Sequence, residues 1–157
     1  MEEAFVLGMI ASEGSFSVHS VKSSNYRYDV QILPQFGLVM YEGEVVRALR
    51  DEVGIGTVTE VDGTNGRTRY DWRIKKNSSM EKFIDWMDEN ITEDFKVTDK
   101  YDSYTRWKPI VLNKREKLKT KDGVKELIRE SRKVNGDTSK RDPKYSTEEL
   151  INVVDEQ

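Results

Sequence analysis

No cysteine occurs in the 157 residues, which removes disulfides, thiolate zinc sites and cysteine nucleophiles together and leaves the redox compartment open. Histidine is nearly as scarce. His19 stands alone, so a bound metal has to rest on oxygen ligands or on that one imidazole. No apolar run is long enough to span a bilayer. The N-terminal MEEAFVLGMIA opens acidic rather than basic, unlike a secretory signal. These absences predict an intracellular protein, cytoplasmic or nucleoid-associated with an organelle left open, and no membrane partner. Internal repeats and low-complexity segments are also missing.

An overall positive charge is lacking too. The net charge is −3, which alone weighs against a polyanion partner, because phosphate affinity comes from clustered Lys and Arg. The distribution points the other way. Arg67, Arg69, Arg73, Lys75 and Lys76 sit together, and a second basic run extends from Lys96 to Lys121, while acidic residues gather in 42–52, 81–94 and the tail. Either these are solvated faces or they mark a nucleic-acid surface. With 36% hydrophobic and 35% charged residues, the composition is that of a globular protein, and the length suits one domain.

Periodicity orders the chain. Residues 2–13 read as a helix with Phe5, Val6, Met9 and Ile10 inward, stopped by Gly14 as a C-cap. SFSVHSVK then alternates: Phe16 and Val18 on one face, Ser15, Ser17 and His19 on the other. After the turn KSSN, YRYDVQILPQFGLVM forms a second strand, with Tyr28, Val30, Ile32 and Phe36 opposed to Arg27, Asp29, Gln31 and Gln35. Pro34 makes it an edge strand or marks a bulge. EGEVVRALRDEVGIG reads as a helix on Val45, Val46 and Leu49, closed by Gly54. A hairpin follows through DGTNG. In its second strand Thr68, Tyr70, Trp72 and Ile74 face a core, leaving Arg67, Arg69, Asp71, Arg73 and Lys75 on a nearly uniform basic face.

SMEKFIDWMDEN forms a helix with Met80, Phe83, Ile84 and Met87 inward. DKYDSYTRWKPIVLNK forms another, which Pro109 would kink or end. GVKELIRESRKVN is amphipathic, GDTSKRDPK is a polar loop, and STEELINVV opens with Ser146 and Glu149 at capping-box spacing. The order α-β-β-α-β-β-α, followed by helices, predicts an α+β fold: an antiparallel sheet with helices on one face and an open, polar, basic face on the other.

Glu13 raises the sharpest chemical question. A carboxylate in the last turn of a helix meets the negative end of the macrodipole, at a cost of about 0.3–1 kcal/mol. One resolution is a divalent cation, since a carboxylate and a free carbonyl supply the hard oxygens magnesium prefers. The other is an exposed glutamate that tolerates its place.

The segment VLGMIASEGSF resembles the signature of the LAGLIDADG homing endonucleases, in which an apolar helix with a small-residue seam ends in Asp or Glu, then Gly, then a strand. Val6, Leu7, Gly8, Met9, Ile10, Ala11, Ser12, Glu13 and Gly14 match its nine positions in order, and ASEGSF is close to the DAEGSF form of members with glutamate at the metal position. LPQFGLVMYEGEVVRALRDEVGIG and FKVTDKYDSY resemble later segments of the family. The likeness spans about residues 4–112, which suggests an endonuclease-like core over 1–112 and a helical extension of the same domain over 113–157.

The resemblance implies a homodimer, since one motif per chain requires a second helix from another copy, with Val6, Gly8, Met9 and Ser12 at the interface. It implies Mg2+ held by Glu13 and the Ser12 backbone carbonyl, and Lys100 as the active-site lysine that stabilises developing negative charge or helps position water, with Lys96 as its nearest competitor. It implies sheets that form a saddle on double-stranded DNA, strands lying in the major groove. The contacts, assigned by strand parity, are Ser15, Ser17, His19, Arg27, Gln31, Gln35, Thr57, Thr59, Arg67, Arg69, Arg73 and Lys75. One position departs from the family's pattern. Where many members carry a water-orienting polar residue, often Gln, alignment on Phe36 places Met40, and alignment on Gly54 places Leu38.

The leading expectation is therefore a homing endonuclease, intron-associated and metal-dependent, cutting both strands of a long pseudo-palindromic site. Its rival is a non-cleaving DNA- or RNA-binding protein of the same fold, an intron maturase or a regulator, which Met40 favours. A third reading is an unrelated small α+β enzyme whose basic sheet binds an anionic metabolite.

Overall fold

The computed structural model describes residues 1–135 and 144–157. Its elements run α1 (Glu3–Glu13), β1 (Gly14–Lys22), β2 (Val30–Met40), α2 (Gly43–Val53), β3 (Thr57–Asp62), β4 (Thr68–Ile74), α3 (Asn77–Asn90), α4 (Glu93–Lys96), α5 (Asp99–Lys117), α6 (Lys121–Asn135) and α7 (Thr147–Asp155). This is the α-β-β-α-β-β-α order expected from periodicity, followed by helices, and the fold is α+β. The strands hydrogen-bond in the order β1-β2-β4-β3. The chain packs as two compact units, one of Met1–Phe16 and Gln35–Asp102, the other of Ser17–Pro34 and Ser103–Gln157.

In the first unit β4 is paired on both sides. Leu38 of β2 and Val58 of β3 both lie opposite Trp72, so residues of that parity share one face. That face is the core side, because Leu38, Trp72 and Ile74 are buried with Val6, Leu7 and Ile10 of α1 and Met80, Phe83, Ile84 and Met87 of α3. Phe36 sits at the centre, with ring centroids 5.2 Å from Phe16, 5.1 Å from Trp72 and 4.7 Å from Phe83. Each such side chain removed from water contributes about 1.5–3 kcal/mol. Helix α2 buries Val46, Leu49 and Val53 and ends where expected, at Gly54, whose φ of 77° and N–H bond of 2.7 Å to the Arg50 carbonyl complete a left-handed cap.

Two expectations for α1 change. Leu7 rather than Phe5 joins the core, and Phe5 is 48% exposed. The buried stripe is thus Val6, Leu7 and Ile10, one step round the helix from the stripe expected. Gly14 caps the helix with its N–H on the Ile10 carbonyl, but at φ −71° it is extended rather than left-handed. Glycine is needed there for space: a Cβ would lie 2.6 Å from the Ile10 carbonyl oxygen and 3.1 Å from the Phe36 ring. Gly14→Ala is expected to destabilise the chain by about 1–3 kcal/mol, as overpacking does. Urea unfolding measures this, and an unchanged midpoint would refute the steric account.

Helix α4 escaped the periodic reading because a single turn has no period to show. Its local cause is visible nonetheless. The Thr92 hydroxyl accepts the Phe95 N–H at 3.2 Å, and Phe95 is buried.

The second unit buries Val18, Val30 and Ile32 of the β1–β2 hairpin, Tyr104, Trp107, Ile110 and Val111 of α5, Val124, Leu127, Ile128 and Val134 of α6, and Leu150 and Val154 of α7. The strand expected from Tyr26 begins only at Val30. Asp29 adopts a positive φ of 58°. Its N–H bonds to the Tyr26 carbonyl and its carbonyl to the Ser23 N–H, both at 2.9 Å, so Tyr26–Asp29 belong to the turn. Pro34 does not make β2 an edge strand, since β2 lies between β1 and β4; it sits in a segment of β2 beyond the β4 partners, which end at Phe36, so its missing N–H breaks no bond to β4.

Pro109 does not end α5, which runs on to Lys117. Losing one helical hydrogen bond is offset by the buried Trp107, Ile110 and Val111 on either side. Ser146 caps α7 as its spacing predicted, accepting the Glu149 N–H at 3.0 Å. Of the expected polar loop 136–144, residues 136–143 lie outside the described residues.

Candidate active site and nucleic-acid interface

Glu13 closes α1 and is exposed, with Ser12 exposed beside it. The Ser12 hydroxyl donates back to the Met9 carbonyl at 3.3 Å. The carbonyls of such a last turn have no helical N–H of their own. The Gly14 carbonyl, one residue beyond Glu13, accepts a hydrogen bond from Lys100 Nζ at 2.5 Å. Residues 86 apart in sequence thus meet at the motif's end. Lys100 is held there by the start of α5. The Thr98 hydroxyl donates to the Phe95 carbonyl at 2.7 Å and accepts the Tyr101 N–H at 3.3 Å, and the Phe95 and Tyr101 rings meet edge to face at 6.3 Å.

Lys96, the competitor, is engaged elsewhere. Its ammonium pairs with Glu93 at 3.0 Å, and the hydrogen bond and charge of that carboxylate raise its pKa above the usual lysine value.

Chemically, the end of α1 offers one carboxylate, backbone carbonyls and an ammonium group. Such hard oxygens suit magnesium. Among the described residues no group of three or more His, Cys, Asp or Glu side chains could hold a metal ion.

The outer surface of α1 includes Gly8, and a Cβ placed on Gly8 would meet nothing within 4 Å. Gly8 and Ser12 are exposed, Met9 is half-buried, and Phe5 is 48% exposed. Val6 does not belong with them. It is fully buried within the chain, because it lies on the stripe shared with Leu7 and Ile10, so the surface expected to include Val6 carries Phe5 instead.

Parity places the sheet's other face. In the first unit it carries Gln35, Gly37, Val39, Thr57, Thr59, Arg69, Asp71 and Arg73, with Arg67 and Lys75 just beyond the ends of β4. Ser15, Thr57, Thr59, Arg67, Arg69 and Lys75 are exposed. Gln35, Thr57, Thr59, Asp71, Arg73, Lys75 and Lys76 line part of a groove of ≈ 670 Å³. Arg73 Nε bonds to Asp71 at 2.6 Å. The Arg67 guanidinium lies 4.0 Å from the centroid of the Tyr41 ring, a contact worth about 0.5–1 kcal/mol when exposed. Tyr41 and Gly37 were not singled out from the sequence, although both share parity with Gln35. Met40 and Leu38 pair with Tyr70 and Trp72, which puts them on the core side.

In the second unit Ser17 is half-buried and His19 exposed. Gln31 Nε2 donates to the Tyr26 hydroxyl at 2.8 Å, and Leu33 is 38% exposed on the same strand face. Arg27 departs from expectation. It lies in the turn ahead of β2, where its guanidinium donates to the Lys119 carbonyl at 3.4 Å and rests 5.4 Å from the Tyr28 ring; the positive φ at Asp29 breaks the parity on which its assignment rested. Among the described residues no helix is long and apolar enough to cross a membrane.

The family model described as LAGLIDADG endonuclease matches residues 6–111. The chain is similar to the archaeal intron-encoded homing endonuclease I-Vdi141I, solved in complex with DNA, at a TM-score of 0.87 and 22% identity, covering 98% of this chain and 94% of that one. The homing endonuclease I-TnaI gives a TM-score of 0.77 at 23% identity, with 99% and 97% covered. I-CvuI in complex with the I-CreI target gives 0.75 at 12% identity, with 98% and 92% covered. No curated protein sequence matches the chain.

Proposed function

The chain belongs to the LAGLIDADG endonuclease family, and from that premise we propose that it is a homing endonuclease that cuts both strands of a long pseudo-palindromic DNA site as a metal-dependent homodimer. One observation carries the reading: Lys100 Nζ reaches the Gly14 carbonyl at 2.5 Å, so an ammonium group stands at the end of the motif, one residue along the chain from Glu13.

Glu13 supplies a hard anionic oxygen and the Ser12 carbonyl a neutral one, a donor set that suits magnesium once phosphate oxygens complete the shell. When bound, magnesium supplies Lewis acidity at the scissile phosphate. Lys100 sets a positive charge where negative charge develops during phosphodiester hydrolysis. The exposed basic and polar residues of β3 and β4, together with Ser15, Ser17, His19, Gln31 and Gln35, contact DNA edges and phosphates.

Gly8 supports the second copy. Glycine within a helix costs about 1 kcal/mol against alanine, and the open space around Gly8 gives it no role in the packing of its own chain. Close approach of another α1 supplies one. Gly8→Leu is expected to weaken dimerisation by about 10–100-fold, from overpacking of roughly 1–3 kcal/mol, with helix content unchanged. Sedimentation reads this, and a variant that remains as dimeric as the parent would refute the seam.

The decisive experiment is incubation with a supercoiled plasmid carrying the intact host locus. One double-strand cut is expected with magnesium and none with EDTA. Tight binding without cutting under any divalent metal would overturn the nuclease reading in favour of a non-cleaving binder of the same fold.

A further inference from the structure

Asp71 is an acidic residue on a face otherwise suited to phosphates, where its charge opposes DNA binding. Its side chain is nevertheless only 14% exposed, and its carboxylate accepts a hydrogen bond from Arg73 Nε at 2.6 Å. Trp72 and Ile74 are buried on the core side of β4, so both members of the pair stand on the opposite face.

A second observation concerns the same guanidinium. Gly37 of β2 lies directly across from Arg73. A Cβ on Gly37 would lie 2.8 Å from Arg73 Cζ and 3.1 Å from Cδ, and would collide with Nη1. The arginine therefore crosses over the Gly37 backbone, and only glycine leaves that path open. On the other side Arg73 is paired with the small Thr57 of β3. Its guanidinium is thus confined from two strands: Gly37 admits it, and Asp71 occupies its Nε–H.

We propose that Asp71 and Gly37 are positioning residues that hold Arg73 as the reader of a single guanine in each half-site. This inference rests on the reading that the open face binds DNA. With Nε–H engaged by Asp71, the hydrogens on the two Nη atoms remain for a ligand. Guanine presents two acceptors, N7 and O6, on its major-groove edge, whereas adenine presents an acceptor and a donor. A confined arginine fork rewards the first pattern and leaves one N–H facing a donor in the second. The carboxylate thus trades general affinity for discrimination at one base pair.

The test is selection from a randomised duplex library with the full chain, comparing the parent with Asp71→Asn, Gly37→Ala and Arg73→Lys. The parent is expected to select a site with one guanine per half-site preferred over adenine by about 10-fold or more, as a bidentate pair provides. All three variants, although they alter two different strands, are expected to reduce the preference at that same base pair to about threefold or less, with the remaining positions retained. Asp71→Asn is further expected to bind random duplex more tightly than the parent. Arg73→Lys, which keeps the charge and loses the fork, guards against misfolding of either other variant. Selected sites identical to the parent's, or changes spread across the half-site, would overturn the inference while leaving DNA binding intact. A parent chain that selects no sequence at all would overturn the DNA-binding reading and this inference with it.

Discussion

Glu13→Gln is expected to abolish cleavage while preserving DNA binding: the rate of double-strand cutting in magnesium falls by on the order of 10³-fold, the scale of losing a key electrostatic contact to the transition state. The substitution retains shape and hydrogen-bonding capacity and removes only the anion. Folding should respond in the opposite direction. Glu13 sits in the last turn of α1, where a negative charge opposes the helix dipole, so the variant is expected to be unchanged or more stable by up to about 1 kcal/mol. Gel shift, plasmid cutting and urea unfolding on the same preparation separate these effects. Cutting above about a tenth of the parent rate would remove Glu13 from the active site, a loss small enough to leave less than 1.4 kcal/mol assigned to it.

Trp72→Ala is expected to have the largest effect on the fold, a loss of about 3–5 kcal/mol. Trp72 is fully buried, its ring lies 5.1 Å from Phe36 and 6.2 Å from Phe83, and its Nε1–H bonds to the Ile55 carbonyl at 2.8 Å. Truncation removes the central member of this aromatic group and deprives a part-buried carbonyl of its donor, two penalties that add. Against a typical stability of about 5–15 kcal/mol, the loss takes about a fifth or more of the total. Trp72→Phe keeps much of the packing and forfeits the hydrogen bond, for an expected cost nearer 1–2 kcal/mol. Urea midpoints measure both, and a loss below about 1 kcal/mol for Trp72→Ala would contradict the packing account.

The order of elements was legible because each depends on local chemistry. Alternation along 15–22 and 67–76, the helical spacing of Met80, Phe83, Ile84 and Met87, the stop at Gly54 and the cap at Ser146 are nearest-neighbour effects. The misplacements have physical causes as well. Phe5 and Leu7 flank the same stripe, and hydrophobicity does not distinguish them; which is buried depends on what the helix meets. Extending the strand period backward through Asp29 puts Arg27 on the open face, but the positive φ of Asp29 belongs to a turn. Position at a helix end suggests a conformational role for Gly14, whereas its neighbours Ile10 and Phe36 demand glycine sterically.

By itself the sequence determined the α+β class, the strand parity that sorts Thr57, Thr59, Arg69 and Arg73 from Trp72 and Ile74, and the motif that ends in Glu13. Side-chain period and capping depend on residues a few positions apart, and these are visible in one dimension. Only the tertiary structure decided that Lys100 rather than Lys96 reaches the Gly14 carbonyl, and that Arg73 crosses Gly37 while Asp71 holds its Nε. The Lys100–Gly14 and Arg73–Gly37 contacts join distant segments or neighbouring strands, and the Asp71–Arg73 bond, though two residues apart on β4, forms beside the arginine path that Gly37 leaves open. Their geometry depends on how the backbone closes and on which volumes are left empty, and residue spacing does not encode it.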